Sequence, residues 1–298
     1  MIASFLDSWA LFRDAYLAGW LISLLLPLLG VMVVAREQIF LGAAMSQASL
    51  LGIACGLRLA TLPALAVVPW LESDAFLSAA AGIFAVLAAL LTTRGAHERG
   101  ESREAATGLV FLFSASLSVL LLSHSPHGTE EIHRLVASTI IGATAGDVAV
   151  LALLLALTAA GVALRHRELA LLAMDPQMAS AVGLGVRRWG VLLAIWLGVV
   201  VGLSNRVAGS IFTFGCLVLP ALAARSLCRE VRTMFVVAPL LGLAGSLVSF
   251  VVAHDLDYPP GQTTAFVLSL TLVAAWLLRR SERALANGRR EGEPLAGR

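Results

Sequence analysis

The chain has 298 residues, 59% hydrophobic and 13% charged, with a mean hydropathy of +0.88. A soluble domain of this length carries about twice that share of charge, so a soluble globular protein is excluded and the long apolar runs mark a multi-pass protein of the cell (inner) membrane. The net charge of +2, set by arginine alone because there is no lysine, singles out no class of partner, and no nucleic acid is expected.

The first stretch carries Asp7, Arg13 and Asp14 in place of a basic leader, and the apolar run after Leu17 is too long for a signal-peptide core, so no cleavable signal is expected. Apolar runs then predict spans at Leu17–Val34, Ile39–Leu57, Ala75–Thr93, Ala105–Ser123, Val148–Leu164, Trp189–Leu203, Val207–Ala224, Met234–Ala253 and Thr263–Leu278. Several are shorter than the ~20 residues that cross a bilayer comfortably. Ile132–Ile141 is shorter still and reads as re-entrant or interfacial. The fold class is therefore all-α and polytopic, with eight or nine transmembrane helices, some short or broken and buried in protein where broken. A single membrane domain takes residues 1–280, and the polar residues 281–298 are expected to form a disordered cytoplasmic tail.

Arginines orient the bundle. With alternating spans, all of them except Arg13, Arg58, Arg134 and Arg206 fall on one side, which the positive-inside rule makes cytoplasmic. Gly30, Gly42, Ser46, Gly52, Gly56, Gly209, Gly215, Gly242 and Gly245 suit close helix packing in lipid. Pro27 and Pro220 are expected to kink their helices. Cys55, Cys216 and Cys228 follow neither a disulfide nor a zinc spacing and read as small buried hydrophobes.

On the arginine-rich side lies a short polar segment, Asp175–Gly183 (DPQMASAVG). Asp175 is a good N-cap, Pro176 fits the first helical position, and Gly183 or Gly185 can end the helix in the left-handed conformation. The segment predicts a free-standing helix of roughly two turns. Asp175, Ala179 and Gly183 are spaced by fours and share a small, smooth face. These residues alone fit both a plain connector and a handle gripped by another protein.

Four segments together resemble a known family. Leu29–Gly52 (LGVMVVAREQIFLGAAMSQASLLG) is similar to the second-helix signature of the permease subunits of ATP-binding-cassette importers for zinc, manganese or chelated iron. Asp175–Gly183 resembles their ATPase-coupling loop, Val207–Arg225 (VAGSIFTFGCLVLPALAAR) the segment after it, and Leu256–Gly261 (LDYPPG) their last external turn. The likeness runs from about Ala18 to Leu278 and implies a type II importer permease. Its ATPase-coupling residues would be Asp175, Pro176, Ala179 and Gly183. Its partners would be a cytoplasmic ATPase dimer that holds ATP, a second permease copy or paralogue, an extracytoplasmic substrate-binding protein and membrane lipid. No cofactor is expected on this chain, and a divalent metal would be the cargo. The chain is not expected to be an enzyme. Without lysine it has no phosphate-binding Gly-x-x-x-x-Gly-Lys-Ser/Thr loop, and it carries no His-Glu-x-x-His metal motif. Excepting Asp147 at a margin, the spans lack the intramembrane charges of an ion-coupled secondary transporter.

One departure stands out. The family's second helix carries an Asp and a His four residues apart that face the pathway and bind metal; here those positions are Ala43 and Gln47. A small polar strip survives in Ser46, Gln47 and Ser49. Three readings stay open: a relocated or weaker metal site, a chelate or other non-ionic cargo, or the weaker half of a heterodimeric permease. Outside, His124, His127, Glu130, Glu131 and His133 form a cluster that reads first as a solvated loop at a helix start and second as a place that could receive metal at the entrance. Thr144 and Asp147 read as a capping pair. Asp255 and Asp257 read as part of a tight turn. Arg206 reads either as a topology anchor or as an external attractor for anionic groups.

Overall fold

The computed structural model describes residues 9–60, 73–98, 103–123 and 140–291. They form ten α-helices: α1 (Trp9–Ala35), α2 (Ile39–Ala60), α3 (Asp74–Glu98), α4 (Arg103–Ser123), α5 (Ala145–Met174), α6 (Pro176–Ala181), α7 (Val186–Ala208), α8 (Ser210–Leu227), α9 (Val231–Asp255) and α10 (Pro260–Glu291). Among the described residues nine of them, all but α6, are long and apolar enough to cross a membrane. A 3-10 turn, Ile140–Gly142, precedes α5. The rest of the segment read as re-entrant, up to residue 139, lies outside the described residues.

The helices pack in two groups joined through α8. In one, α2 lies against α3 and α4, while α3 also packs on α7; in the other, α1 lies against α5, α8 and α9, with α10 against α8 and α9. Contact is set by missing side chains. A Cβ on Gly30 would sit 1.8 Å from the Leu217 carbonyl oxygen, and one on Gly202 would sit 2.6 Å from the Gly82 Cα. In lipid, where apolar side chains gain nothing by leaving the solvent, such close approach is what holds helices together.

Several boundaries differ from those read in the sequence. Helix α5 spans 30 residues, because it continues through a non-helical residue, Arg165 (φ −120°, ψ 19°), into a cytoplasmic extension ending at Met174. Helix α7 runs on through the polar Ser204-Asn205-Arg206 run to Ala208. A single residue, Gly209 (φ 80°, ψ 168°), then turns the chain into α8. Pro27 and Pro220 both lie inside helices that continue through them. The last helix carries on to Glu291, ten residues past the start read for the tail at 281, and residues 292–298 lie outside the described residues.

Arginines tie each end of the bundle. At the arginine-rich end, Arg225 donates to the Val34 carbonyl and to Glu37 Oε1, both at 3.2 Å, and Arg279 donates to the Arg225 carbonyl at 3.4 Å. These bonds join the α1–α2 turn to the ends of α8 and α10. At the outer end, Arg206 pairs with Asp74 at 2.5 Å and Asp147 at 2.8 Å, linking α3, α5 and α7. An aromatic cluster of Trp9, Phe12, Tyr16 and Trp20 on α1 packs with Phe250 and His254 on α9 at the same outer end, as amphipathic rings do at a membrane surface.

Candidate functional site

The polar segment at the arginine-rich end forms as its residues dictate. Asp175 closes α5 by donating its backbone N–H to the Leu171 carbonyl at 2.9 Å. Its carboxylate then accepts from the backbone N–H groups of Gln177 (3.0 Å) and Met178 (2.9 Å), which would otherwise be unpaired in the first turn of α6. Pro176 occupies the first helical position. Gly183 stops the helix with φ +85°, where a side chain would be strained. Two reverse bonds complete the end, Gly183 N–H to the Ser180 carbonyl (3.0 Å) and Leu184 N–H to the Ala179 carbonyl (2.9 Å).

Of the three residues spaced by fours, Asp175 and Gly183 are exposed and Ala179 is not. Ala179 is 0% exposed and turned into the bundle, where α6 rests on α5 and α7. A helix this short keeps its place only by burying a face, and the smallest side chain lets it lie closest to its support. The apolar side chains left open are Met174 (72% exposed), at the end of α5 before the non-helical Asp175, and Met178 (54%) and Val182 (61%), four residues apart along α6 and its C-cap. This is an apolar, adaptable stripe on an otherwise polar end of the molecule, with Arg187 and Arg188 exposed just beyond it.

On α2, Ala43 and Ser46 are buried and Gln47 half-buried. Ser49 donates to the Gly202 carbonyl at 3.4 Å, and Asn205 Nδ2 donates to the Ser46 carbonyl at 2.9 Å. The strip therefore lies against α7 and takes in Asn205, which sequence reasoning missed. The Ser204-Asn205-Arg206 run read as an external loop, and only its placement inside α7 reveals a buried amide. Among the described residues no group of three or more His, Cys, Asp or Glu is placed to hold a metal ion. The external cluster of His124, His127, Glu130, Glu131 and His133 lies outside the described residues.

The remaining candidates have structural roles. Thr144 and Asp147 form a reciprocal capping box at the start of α5. The spare oxygen of Asp147 accepts from Arg206 at 2.8 Å, so the external arginine is held by two carboxylates. Asp257 takes φ 52° in the turn between α9 and α10, and Tyr258 N–H closes that turn on the Ala253 carbonyl at 3.0 Å. Above it an outer cavity of about 380 Å³ is lined by Phe12, Tyr16, Ile140, Phe250, His254 and Tyr258. The Tyr16 hydroxyl and His254 Nδ1 lie 3.4 Å apart at its wall.

Comparison with known proteins agrees with this geometry. A family model described as the ABC 3 transport family matches residues 8–279. The manganese transport system membrane protein MntC of Listeria monocytogenes is 22% identical over 286 residues, covering 96% of this chain and 97% of that protein. The manganese import system permease protein ScaB of Streptococcus gordonii is 22% identical over 282 residues, with 92% and 93% covered. Among solved structures, PsaBC from Streptococcus pneumoniae in complex with Fab superposes with a TM-score of 0.77 at 18% identity, covering 93% of this chain and 95% of that one. At that identity the likeness establishes a shared fold.

Proposed function

The chain belongs to the ABC 3 transport family, and from that premise we propose that it is the membrane-spanning permease subunit of an ATP-binding-cassette importer for a divalent metal ion, zinc, manganese or iron. ATP is bound and hydrolysed on a separate cytoplasmic ATPase dimer. A second permease copy or paralogue completes the pathway, and an extracytoplasmic binding protein delivers the cargo. The observation that carries this reading is α6: a doubly capped short helix at the arginine-rich end, resting on α5 and α7 with Met178 and Val182, and Met174 just before it, exposed. An apolar stripe of that kind fits a groove on another protein. Because Ala179 fixes α6 to α5 and α7, movement of a docked ATPase passes directly into the bundle and biases its two states.

Ala43 and Gln47 favour a second reading for the cargo. With no carboxylate or imidazole there, a metal chelate, or a paired permease that supplies the missing ligands, fits the strip as well as a bare ion does.

The test is Met178→Arg, with the ATPase encoded by a neighbouring gene co-expressed. A cation on the exposed stripe leaves the permease folded but cannot enter an apolar groove. Co-purification of the ATPase and cellular uptake of the metal should each fall by about tenfold or more, as expected for a central interface residue. Undiminished capture and uptake would show that the ATPase docks elsewhere.

A further inference from the structure

Many buried hydroxyls in this bundle donate to a carbonyl one turn back on their own helix. Ser23 does so to Gly19 (2.8 Å), Thr158 to Leu154 (2.7 Å) and Thr264 to Pro260 (2.8 Å). Ser46, Ser204 and Thr213 depart from this: their side-chain oxygens, and Asn205 Oδ1, are buried without any hydrogen-bond partner. Of these, Ser46 (1% exposed), Thr213 (0%) and Asn205 (3%) come from three different helices. Unpaired polar atoms in a membrane interior are strongly disfavoured, so their persistence points to a ligand.

The three atoms come from helices that meet. Asn205 Nδ2 donates to the Ser46 carbonyl at 2.9 Å, and because a carbonyl can only accept, the amide orientation is fixed with Oδ1 as its free end. Helices α2 and α8 cross the membrane in opposite directions, and a Cβ on Gly42 would meet the Leu217 side chain at 2.5 Å. One turn outward from that contact on both helices brings Thr213 to the level of Ser46.

We propose that Ser46 Oγ, Asn205 Oδ1 and Thr213 Oγ1 form a neutral, all-oxygen station for a hard divalent cation of the manganese type as it passes through the bundle. This rests on the importer reading above and names the chemistry of its pathway. An amide oxygen offers only lone pairs and the two hydroxyls have theirs free, so the ligand is an electron-pair acceptor. Oxygen donors without nitrogen or sulfur suit manganese better than zinc. Absence of a carboxylate keeps binding weak, which a site of passage requires, since an ion must leave as readily as it enters. Asn205 lies in the last turn of α7, whose carbonyl end favours a cation. The neighbouring Arg206 is balanced by Asp74 and Asp147 and directs its charge elsewhere.

Manganese binding to the purified permease, read by electron paramagnetic resonance of the free ion and repeated with zinc, tests the station. Asn205→Asp adds charge to the oxygen set and should tighten manganese binding by about tenfold, while Thr213→Val and Ser46→Ala should each weaken it severalfold. Zinc binding should be weaker than manganese in the native chain. Identical manganese binding in the native protein and all three variants overturns the proposal. So does the pattern of a site that holds only an internal water, in which Thr213→Val and Asn205→Asp shift thermal stability but not the titration. Manganese uptake by the assembled importer is measured alongside. Its absence would sink the importer reading while the titration still decides the station; its presence with unaffected titrations would sink the station alone.

Discussion

The residues of α6 separate what local chemistry decides from what packing decides. Asp175, Pro176 and Gly183 act on their own backbone, and the sequence made their roles legible because a cap, a helix start and a left-handed stop need no tertiary context. The direction Ala179 faces depends on which side of α6 meets α5 and α7, and spacing alone carries no sign for that. Consequently Ala179 is buried against the bundle while Met178 is exposed, which the smooth small-residue face did not indicate. The two kinds of residue predict different damage. Asp175→Ala removes the acceptor for two N–H groups and should loosen α6 by about 0.5–2 kcal/mol. Ala179→Arg places a guanidinium where nothing is exposed and should detach α6 altogether. Limited proteolysis of the permease alone should show modestly faster cleavage near residue 180 in the first variant and cleavage typical of an open loop in the second. Equal rates in the two would mean that Ala179 does not hold α6 down. Asn205 was illegible for the opposite reason: a polar run beside an arginine reads as a loop, and only its burial inside α7 shows that the helix continues.

At the scale of elements, apolar runs located the nine helices that, among the described residues, are long and apolar enough to cross a membrane, because length and hydrophobicity suffice for that. They did not locate the ends. Helix α5 exceeds its apolar run because arginine and glutamate in its cytoplasmic extension are good helix formers that hydropathy scores as loop. Nor does composition say which glycines matter, since each reads only as a small residue. The structure distinguishes them. At Gly30 a methyl group would fall 1.8 Å from the backbone of α8, with backbone on both sides and no flexible side chain to give way. At Gly161 on α5 it would meet nothing within 4 Å. Gly30→Ala should therefore push α1 and α8 apart and destabilise the bundle by about 1–3 kcal/mol or more. Gly161→Ala should be neutral or slightly stabilising, because glycine gives up more backbone freedom than alanine when the chain becomes helical. Thermal unfolding of the detergent-solubilised protein should show a clear drop in midpoint for the first and none for the second. A matching drop in both would mean that the α1–α8 contact is not the tight one.

For the whole molecule, one charge pattern does two jobs. Arginines concentrated at one end set the orientation during insertion, and in the folded bundle some of the same side chains fasten that end. Arg225 and Arg279 bond carbonyls in the last turns of α1 and α8, where the helix dipole favours a cation. At the other end Arg206 lies between two carboxylates and fastens α3, α5 and α7. The orientation matters for the proposed importer because it requires α6 on the side where ATP is found and the Asp257 turn on the side from which cargo would arrive. It can be read directly by labelling. In a background with Cys55, Cys216 and Cys228 replaced by alanine, Ser180→Cys and Asp257→Cys are each placed on exposed residues at opposite ends. A membrane-impermeant maleimide added to intact cells, with any outer membrane permeabilised, should modify the cysteine at 257 and leave that at 180 untouched until the inner membrane is opened. The reverse pattern would put α6 outside the cell, where no ATPase could reach the Met174–Met178–Val182 stripe, and the importer reading would fall with the topology.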